Sequence, residues 1–274
     1  MPTVVSADGT RIGYTVEGSG PPVIQVNGAL TWRGFGPAQP LSKLLSPHFT
    51  VFSYDRRGRG ETGDGETPWS LDREIEDIAA LLKVAGGEAF LYGISIGAAL
   101  ALEAAQRLDG VTRLALYEAP FIVDDAHVPI PADFIPNLEA MLKAGNPGEV
   151  LKTFLRSAGW PGFLLSMVIF TPTWRKLLPI AHTVPNDMRI IFHNAQGRPL
   201  PSEAWNRVTM PTLAMTGSKS PAYYETAMRA VQTVLPDCEF RSLDNQTHMV
   251  KPEVMAPELV EFFTRAQRTA GPMA

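Results

Sequence analysis

The chain has 274 residues, 45% of them hydrophobic and 19% charged, with 24 prolines and 23 glycines, a composition that fills a large core and excludes disorder, collagen and coiled coil. A formal charge of -4 supplies no basic stripe for a phosphate backbone, so no nucleic-acid partner is expected. One cysteine, Cys238, cannot form an internal disulfide, the first eight residues carry no basic or apolar leader pattern, and no run approaches the roughly 18 apolar residues of a spanning helix, which reads as a cytoplasmic protein without a membrane partner.

Short β-rich runs alternate with helical patterns, which predicts an α/β fold with a mostly parallel sheet and helices on both faces. Residues 10–17 read as an early strand closed by Gly18-Ser19-Gly20-Pro21-Pro22. Val23-Ile24-Gln25-Val26 has the nearly continuous apolar character of a strand buried on both sides, and residues 49–54 form the next. Ser70 is placed to cap a helix running to Val84, since Asp72, Glu74 and Glu76 suit its positive end while Ile75, Ile78 and Leu82 share one face. A strand at 89–92, an alanine-rich helix at 96–108 and a strand at 111–117 follow. From 119 to 208 the rhythm breaks, and eleven prolines punctuate short helical pieces. It resumes with a strand at 212–215, a helix at 222–235, a strand at 239–243 and a last helix at 257–268. The chain therefore divides into an α/β core, 1–118 and 209–274, and a helical insertion, 119–208.

Gly93-Ile94-Ser95-Ile96-Gly97 fits G-x-S-x-G and lies between a predicted strand and a predicted helix, the context that motif requires. A serine on so sharp a turn needs flanking glycines, because a β-carbon at either place would crowd it. The helix that follows aims its free amides and partial positive charge at the same point, so the Ile96 amide is a candidate oxyanion donor. A serine nucleophile needs a base, and of five histidines only His248 lies beyond the last predicted strand, at the carboxyl end of the sheet where open α/β folds bind ligands. His48 reads as a surface residue. His127, His182 and His193 fall in the insertion and read as solvated or hydrogen-bonded.

With these features the sequence resembles the α/β-hydrolase family along nearly its whole length. Asn27-Gly28-Ala29 occupies the place of that family's His-Gly-x loop, and Asp55-Arg56-Arg57-Gly58-Arg59-Gly60 looks like its D-x-R-G-x-G turn. The resemblance implies that the Ala29 amide is the second oxyanion donor and that the proline-rich insertion is the family's variable cap. It also exposes a defect, because the family commonly carries G-x-x-D after the strand at 212–215 and here Gly217-Ser218-Lys219-Ser220 ends in serine. Glu118 ends the strand after the nucleophile strand, and a minority of these hydrolases, fungal zearalenone lactonases among them, look similar in taking their acid from that strand. Neighbouring strands are about 4.8 Å apart and glutamate is one methylene longer than aspartate, so the reach is feasible. Glu118 is the preferred acid, with Asp244, four residues before His248, as the alternative.

Gly58-Arg59-Gly60-Glu61-Thr62-Gly63 matches G-x-G-x-x-G, yet Asp64, Glu66 and Pro68 follow where a dinucleotide would need a helix N-terminus. No cofactor is expected, and no histidine or cysteine spacing suggests a metal. Trp160, Phe163, Phe170, Trp174 and Trp205 read mainly as packing for the insertion's own core. Trp160, Trp174 and Trp205 are the candidates for contact with a hydrophobic substrate. The expectation is a cofactor-free serine hydrolase of carboxylic esters or lactones, with a perhydrolase-like enzyme or a silent binding protein as alternatives.

Overall fold

The computed structural model describes residues 2–65, 68–125 and 127–265. Glu66 and the last positions assigned to the final helix, 266–268, lie outside them. Eight strands make one sheet: β1 (Thr3–Val5), β2 (Arg11–Glu17), β3 (Pro22–Val26), β4 (Thr50–Tyr54), β5 (Ala89–Ile94), β6 (Val111–Tyr117), β7 (Thr212–Gly217) and β8 (Cys238–Leu243). Their order is β1-β2-β4-β3-β5-β6-β7-β8. From β4 to β8 every pairing is parallel, and β1 and β2 add an antiparallel edge. The helices of the core are α1 (Ala38–Leu45), α2 (Leu71–Val84) and α3 (Ile96–Arg107). Between β6 and β7 come α4 (Phe134–Lys143), α5 (Pro147–Ser157), α6 (Gly162–Val168), α7 (Pro172–Leu177) and α8 (Val184–Ile191) with two short 3-10 turns, and the chain closes with α9 (Ala222–Val234) and α10 (Pro252–Thr264).

The strands explain the two-sided core. Along β7, Leu213 and Met215 join Leu41, Leu45, Leu259 and Phe263 of α1 and α10, whereas Ala214 packs with Ala227, Met228 and Val231 of α9. Alternating side chains of one strand thus enter opposite layers, which is why these runs are apolar throughout. Burying such a side chain contributes about 1.5–3 kcal/mol.

Three local readings change. Helix α1 has apolar Ala38, Leu41 and Leu45 on its buried face, but its prolines at 37 and 40 hide it in the sequence. Helix α10 begins at Pro252, five residues before the predicted start, and carries Pro257 inside; packing of Met255, Leu259 and Phe262 holds the turn that Pro257 leaves one donor short. Ser70 stands at the N-cap of α2 without a capping hydrogen bond. Instead Glu74 turns inward, accepting from Arg56 Nη2 at 2.8 Å and Nε at 2.9 Å. Among the described residues no helix is long and apolar enough to cross a membrane.

A buried charge network ties the insertion to the core. Asp187 of α8, fully buried, ion-pairs with Arg56 at 2.9 Å and Arg59 at 2.5 Å. Asp187→Ala leaves those guanidinium groups short of a counter-charge in a buried site, and should cost about 3–5 kcal/mol of stability in urea denaturation. A loss under 1 kcal/mol would show the pairs to be dispensable.

Candidate active site

Four neighbouring strands end in the residues that meet at the site. Ser95 follows β5 directly, Glu118 follows β6, Thr216 and Gly217 close β7, and His248 lies in the loop after β8. Ser95 has φ 58° and ψ -128°, a conformation a non-glycine residue holds at a cost of about 1–3 kcal/mol. Its neighbours permit it by size. A β-carbon on Gly97 would lie 2.1 Å from the Val26 carbonyl oxygen, and one on Gly93 would lie 2.4 Å from that of Gly97. The Ser95 amide donates to the Tyr117 carbonyl at 2.8 Å, fixing the turn to β6. Since α3 starts at Ile96, the Ile96 amide has no intrahelical acceptor.

His248 Nε2 is 3.1 Å from Ser95 Oγ, and His248 Nδ1 is 2.7 Å from Glu118 Oε2. The other Glu118 oxygen accepts from the Gly217 amide at 2.7 Å and the Thr216 hydroxyl at 3.0 Å. Burial alone raises the Glu118 pKa, but the hydrogen bonds from His248 and the Gly217 amide outweigh it and hold the carboxyl below its ordinary value. An ionised Glu118 requires the proton on His248 Nδ1, which leaves Nε2 free to accept from Ser95. Glu118 itself adopts φ 50°, so two of the three groups sit on strained backbone.

The histidine loop is tethered on several sides. Tyr117 Oη donates to the Thr247 carbonyl at 2.7 Å, the Lys219 amide to the Gln246 carbonyl at 2.8 Å, and the Asn245 amide to Ser218 Oγ at 2.9 Å. Asp244, the alternative acid, is exposed, and the carboxylate facing His248 is Glu118. Ser220 Oγ is buried beside Glu118 and Tyr117 without a hydrogen bond of good geometry to either.

Gly28 packs against the serine, since a β-carbon there would lie 3.1 Å from Ser95 Cβ. Its carbonyl accepts from Arg59 Nη1 at 2.9 Å and Thr31 Oγ1 at 3.0 Å. That carbonyl and the Ala29 amide share one planar trans peptide and point oppositely, so the two donors also fix the direction of the amide. The glycines of the G-x-G-x-x-G match serve a turn around Asp55, which accepts from the Arg33 and Glu61 amides at 2.9 Å, and α2 starts only at Leu71.

Ser95 and His248 open into a cavity of about 850 Å³ walled by apolar side chains of the insertion and by Leu30, Phe35, Ile94 and Ile96. A separate cavity of about 250 Å³ lies behind the Asp55 turn and does not reach Ser95. Among the described residues no group of three or more His, Cys, Asp or Glu could hold a metal ion.

The model of the alpha/beta hydrolase family matches residues 19–258. The chain belongs to the alpha/beta hydrolase family. Its relative 2-(acetamidomethylene)succinate hydrolase, from Mesorhizobium japonicum, is 26% identical over 265 residues, spanning 90% of this chain and 89% of the relative. An alpha/beta hydrolase from Sphaerobacter thermophilus has a similar structure, with TM-score 0.88 and 42% identity over 96% of this chain and 100% of that one. The enol-lactonase from Burkholderia xenovorans shares the fold, with TM-score 0.72 and 18% identity over 96% of this chain and 100% of that one.

Within this alpha/beta hydrolase, Trp160 lines the cavity, but Trp174 and Trp205 do not. Trp174 is packed inside the insertion at 7% exposure, while Trp205 stacks on Phe121 and donates to Glu103 at 3.0 Å. Both correct the expectation of substrate contact. Phe163 and Phe170, expected in the insertion's core, are exposed: α6 buries only Leu165, and Phe170 lies past its end. The rings that do line the cavity include Phe35, Phe134, Phe154, Tyr223 and Tyr224, together with His127. His182 is exposed and pairs with Asp64, while His48 and His193 are exposed.

Proposed function

We propose that this hydrolase cleaves carboxylic esters or lactones of hydrophobic small molecules through an acyl-enzyme on Ser95. The observation that carries this reading is the hydrogen-bond chain from Ser95 through His248 to Glu118, ending on the floor of an apolar cavity. Ser95 Oγ attacks the carbonyl carbon as its proton passes to His248 Nε2, and Glu118 stabilises the imidazolium. The carbonyl oxygen, now an anion, takes hydrogen bonds from the Ala29 and Ile96 amides. The carbon–oxygen bond to the alcohol breaks, and that oxygen receives the proton from His248. Water then repeats the sequence, giving its proton to His248, attacking the acyl carbon and releasing Ser95 and the carboxylic acid. These steps use only the chain's own groups and water. The helical insertion acts as a cap over the reacting carbonyl.

The lining also bears on the substrate. Among the described residues no aspartate, glutamate or lysine lines the cavity, and the one arginine that does, Arg156, is exposed. An apolar acyl or ring-bearing group suits these walls better than a dicarboxylate of the kind named for the Mesorhizobium relative. Each buried methylene adds at most about 0.8 kcal/mol, so turnover of p-nitrophenyl esters should rise as the acyl chain grows from about two to about eight carbons. A steady fall along that series would overturn the apolar reading. Fluorophosphonate labelling tests the chemistry itself: one adduct is expected, on the peptide that contains Ser95. Labelling elsewhere, or none, would sink the serine mechanism.

A further inference from the structure

We infer that Tyr224 is a positioning residue for His248, holding the imidazole plane by stacking on its face and stabilising its cation. The two rings have centroids 4.7 Å apart and planes 15° from parallel. Tyr223 backs Tyr224 in a tilted contact, with centroids 4.1 Å apart and planes at 30°, and the His127 ring lies 4.3 Å from Tyr223 at 47°. All four rings line the cavity.

The stack follows from the local fold. Tyr224 is the third residue of α9, just after Pro221, and side chains of a first turn lean back toward the helix N-terminus. That direction carries the ring to the carboxyl end of β7, where the loop bearing His248 is tethered. The segment after β7, which holds serine at 220 in place of a carboxylate, thus reaches the histidine through an aromatic ring.

Geometry explains why a ring is useful there. The hydrogen bonds at Nδ1 and Nε2 both lie in the imidazole plane, so they fix its ends but resist tilting weakly. A parallel ring against one face opposes that tilt. When His248 takes the proton of Ser95 it becomes a cation, and a cation against the electron-rich face of an aromatic ring is stabilised. The titratable groups around it are Glu118 on Nδ1, Tyr224 on its face, Tyr117 holding the Thr247 carbonyl, and beyond Tyr224 the tilted rings of Tyr223 and His127. Burial pushes the Tyr224 phenol well above its ordinary value and that of Tyr223 up to about 12, so both rings stay neutral through the neutral pH range.

The effect on turnover rests on the serine-hydrolase reading, but the ring contact does not, and the test separates them. The titration of His248 is followed by its imidazole Cε1–H resonance, assigned by loss of the signal in His248→Asn, in the wild type and in Tyr224→Phe, Tyr224→Leu and Tyr224→Met. Losing the aromatic face in Leu or Met should lower the midpoint by about 0.5 pH unit, while Phe leaves it unchanged. Two aliphatic variants of different shape guard against one that does not fold. In parallel, kcat should fall about tenfold in Leu and Met and stay near wild type in Phe. An unmoved midpoint in the aliphatic variants would overturn the inference. So would an upward shift, which would mean that the ring serves only to exclude water, or a Phe variant that shifts as far as Leu. A lowered midpoint in an enzyme that labels at no serine would retain the stack and discard the hydrolytic mechanism.

Discussion

Ser95→Ala should lower ester turnover by about 10⁴-fold or more, with thermal unfolding close to that of the wild type. The hydroxyl is the atom that faces His248 Nε2 at 3.1 Å, and among the described residues no other side-chain oxygen is hydrogen-bonded to that nitrogen. Alanine meets the same positive-φ requirement as serine, so the strain of the turn is unchanged and the fold loses one half-buried hydroxyl. Ser95→Gly gives a useful contrast, because glycine adopts this conformation freely: it should be equally inactive yet at least as stable. A purified Ser95→Ala protein that keeps a tenth of wild-type turnover would remove Ser95 from the nucleophile's role, and a Ser95→Gly protein less stable than Ser95→Ala would contradict the strain.

The parts of the fold that were legible in the sequence are those with strong local signals. Strands β3, β5 and β7 are largely apolar runs next to glycine or proline, and the spacing of Ile75, Ile78 and Leu82 gives α2 its buried side. Helix α1 escaped because prolines at 37 and 40 argue against a helix, while Ala38, Leu41 and Leu45, which hold it to the sheet, are too few to outweigh them. At the site, Ser95 was legible from its glycines and His248 from its place after the last strand. Tyr224 was not, because a ring on the face of an imidazole depends on how α9 approaches the loop after β8, and nothing in Tyr223-Tyr224 itself points to a histidine 24 residues later. The tryptophans failed for a related reason. Aromatic content shows that large rings must be buried somewhere, and only the tertiary packing decides that Trp174 on α7 and Trp205 in a turn go to the interior while Trp160, between α5 and α6, meets the cavity.

Glu118→Gln is expected to lose about 10⁴-fold in turnover, near the loss that the equivalent carboxylate-to-amide change produces in a serine protease. The amide is nearly the same size as the carboxylate, so the substitution tests charge and proton position with little change in packing. Its oxygen can keep the bonds from the Gly217 amide and the Thr216 hydroxyl, which turns its NH₂ toward His248 Nδ1. Nδ1 must then accept, the ring proton moves to Nε2, and Nε2 can no longer take the proton of Ser95. The loss should appear in kcat, with ground-state binding little altered. Ser220→Ala should retain nearly full activity, because Ser220 Oγ makes no hydrogen bond of good geometry to Glu118. Asp244→Asn should cost little, its side chain being exposed in the loop that carries the histidine. Measuring kcat and KM for the three purified variants decides the matter. A normal Glu118→Gln enzyme beside an inactive Asp244→Asn would mean that the orienting acid lies in the histidine's own loop, with the 2.7 Å contact to Glu118 serving stability alone.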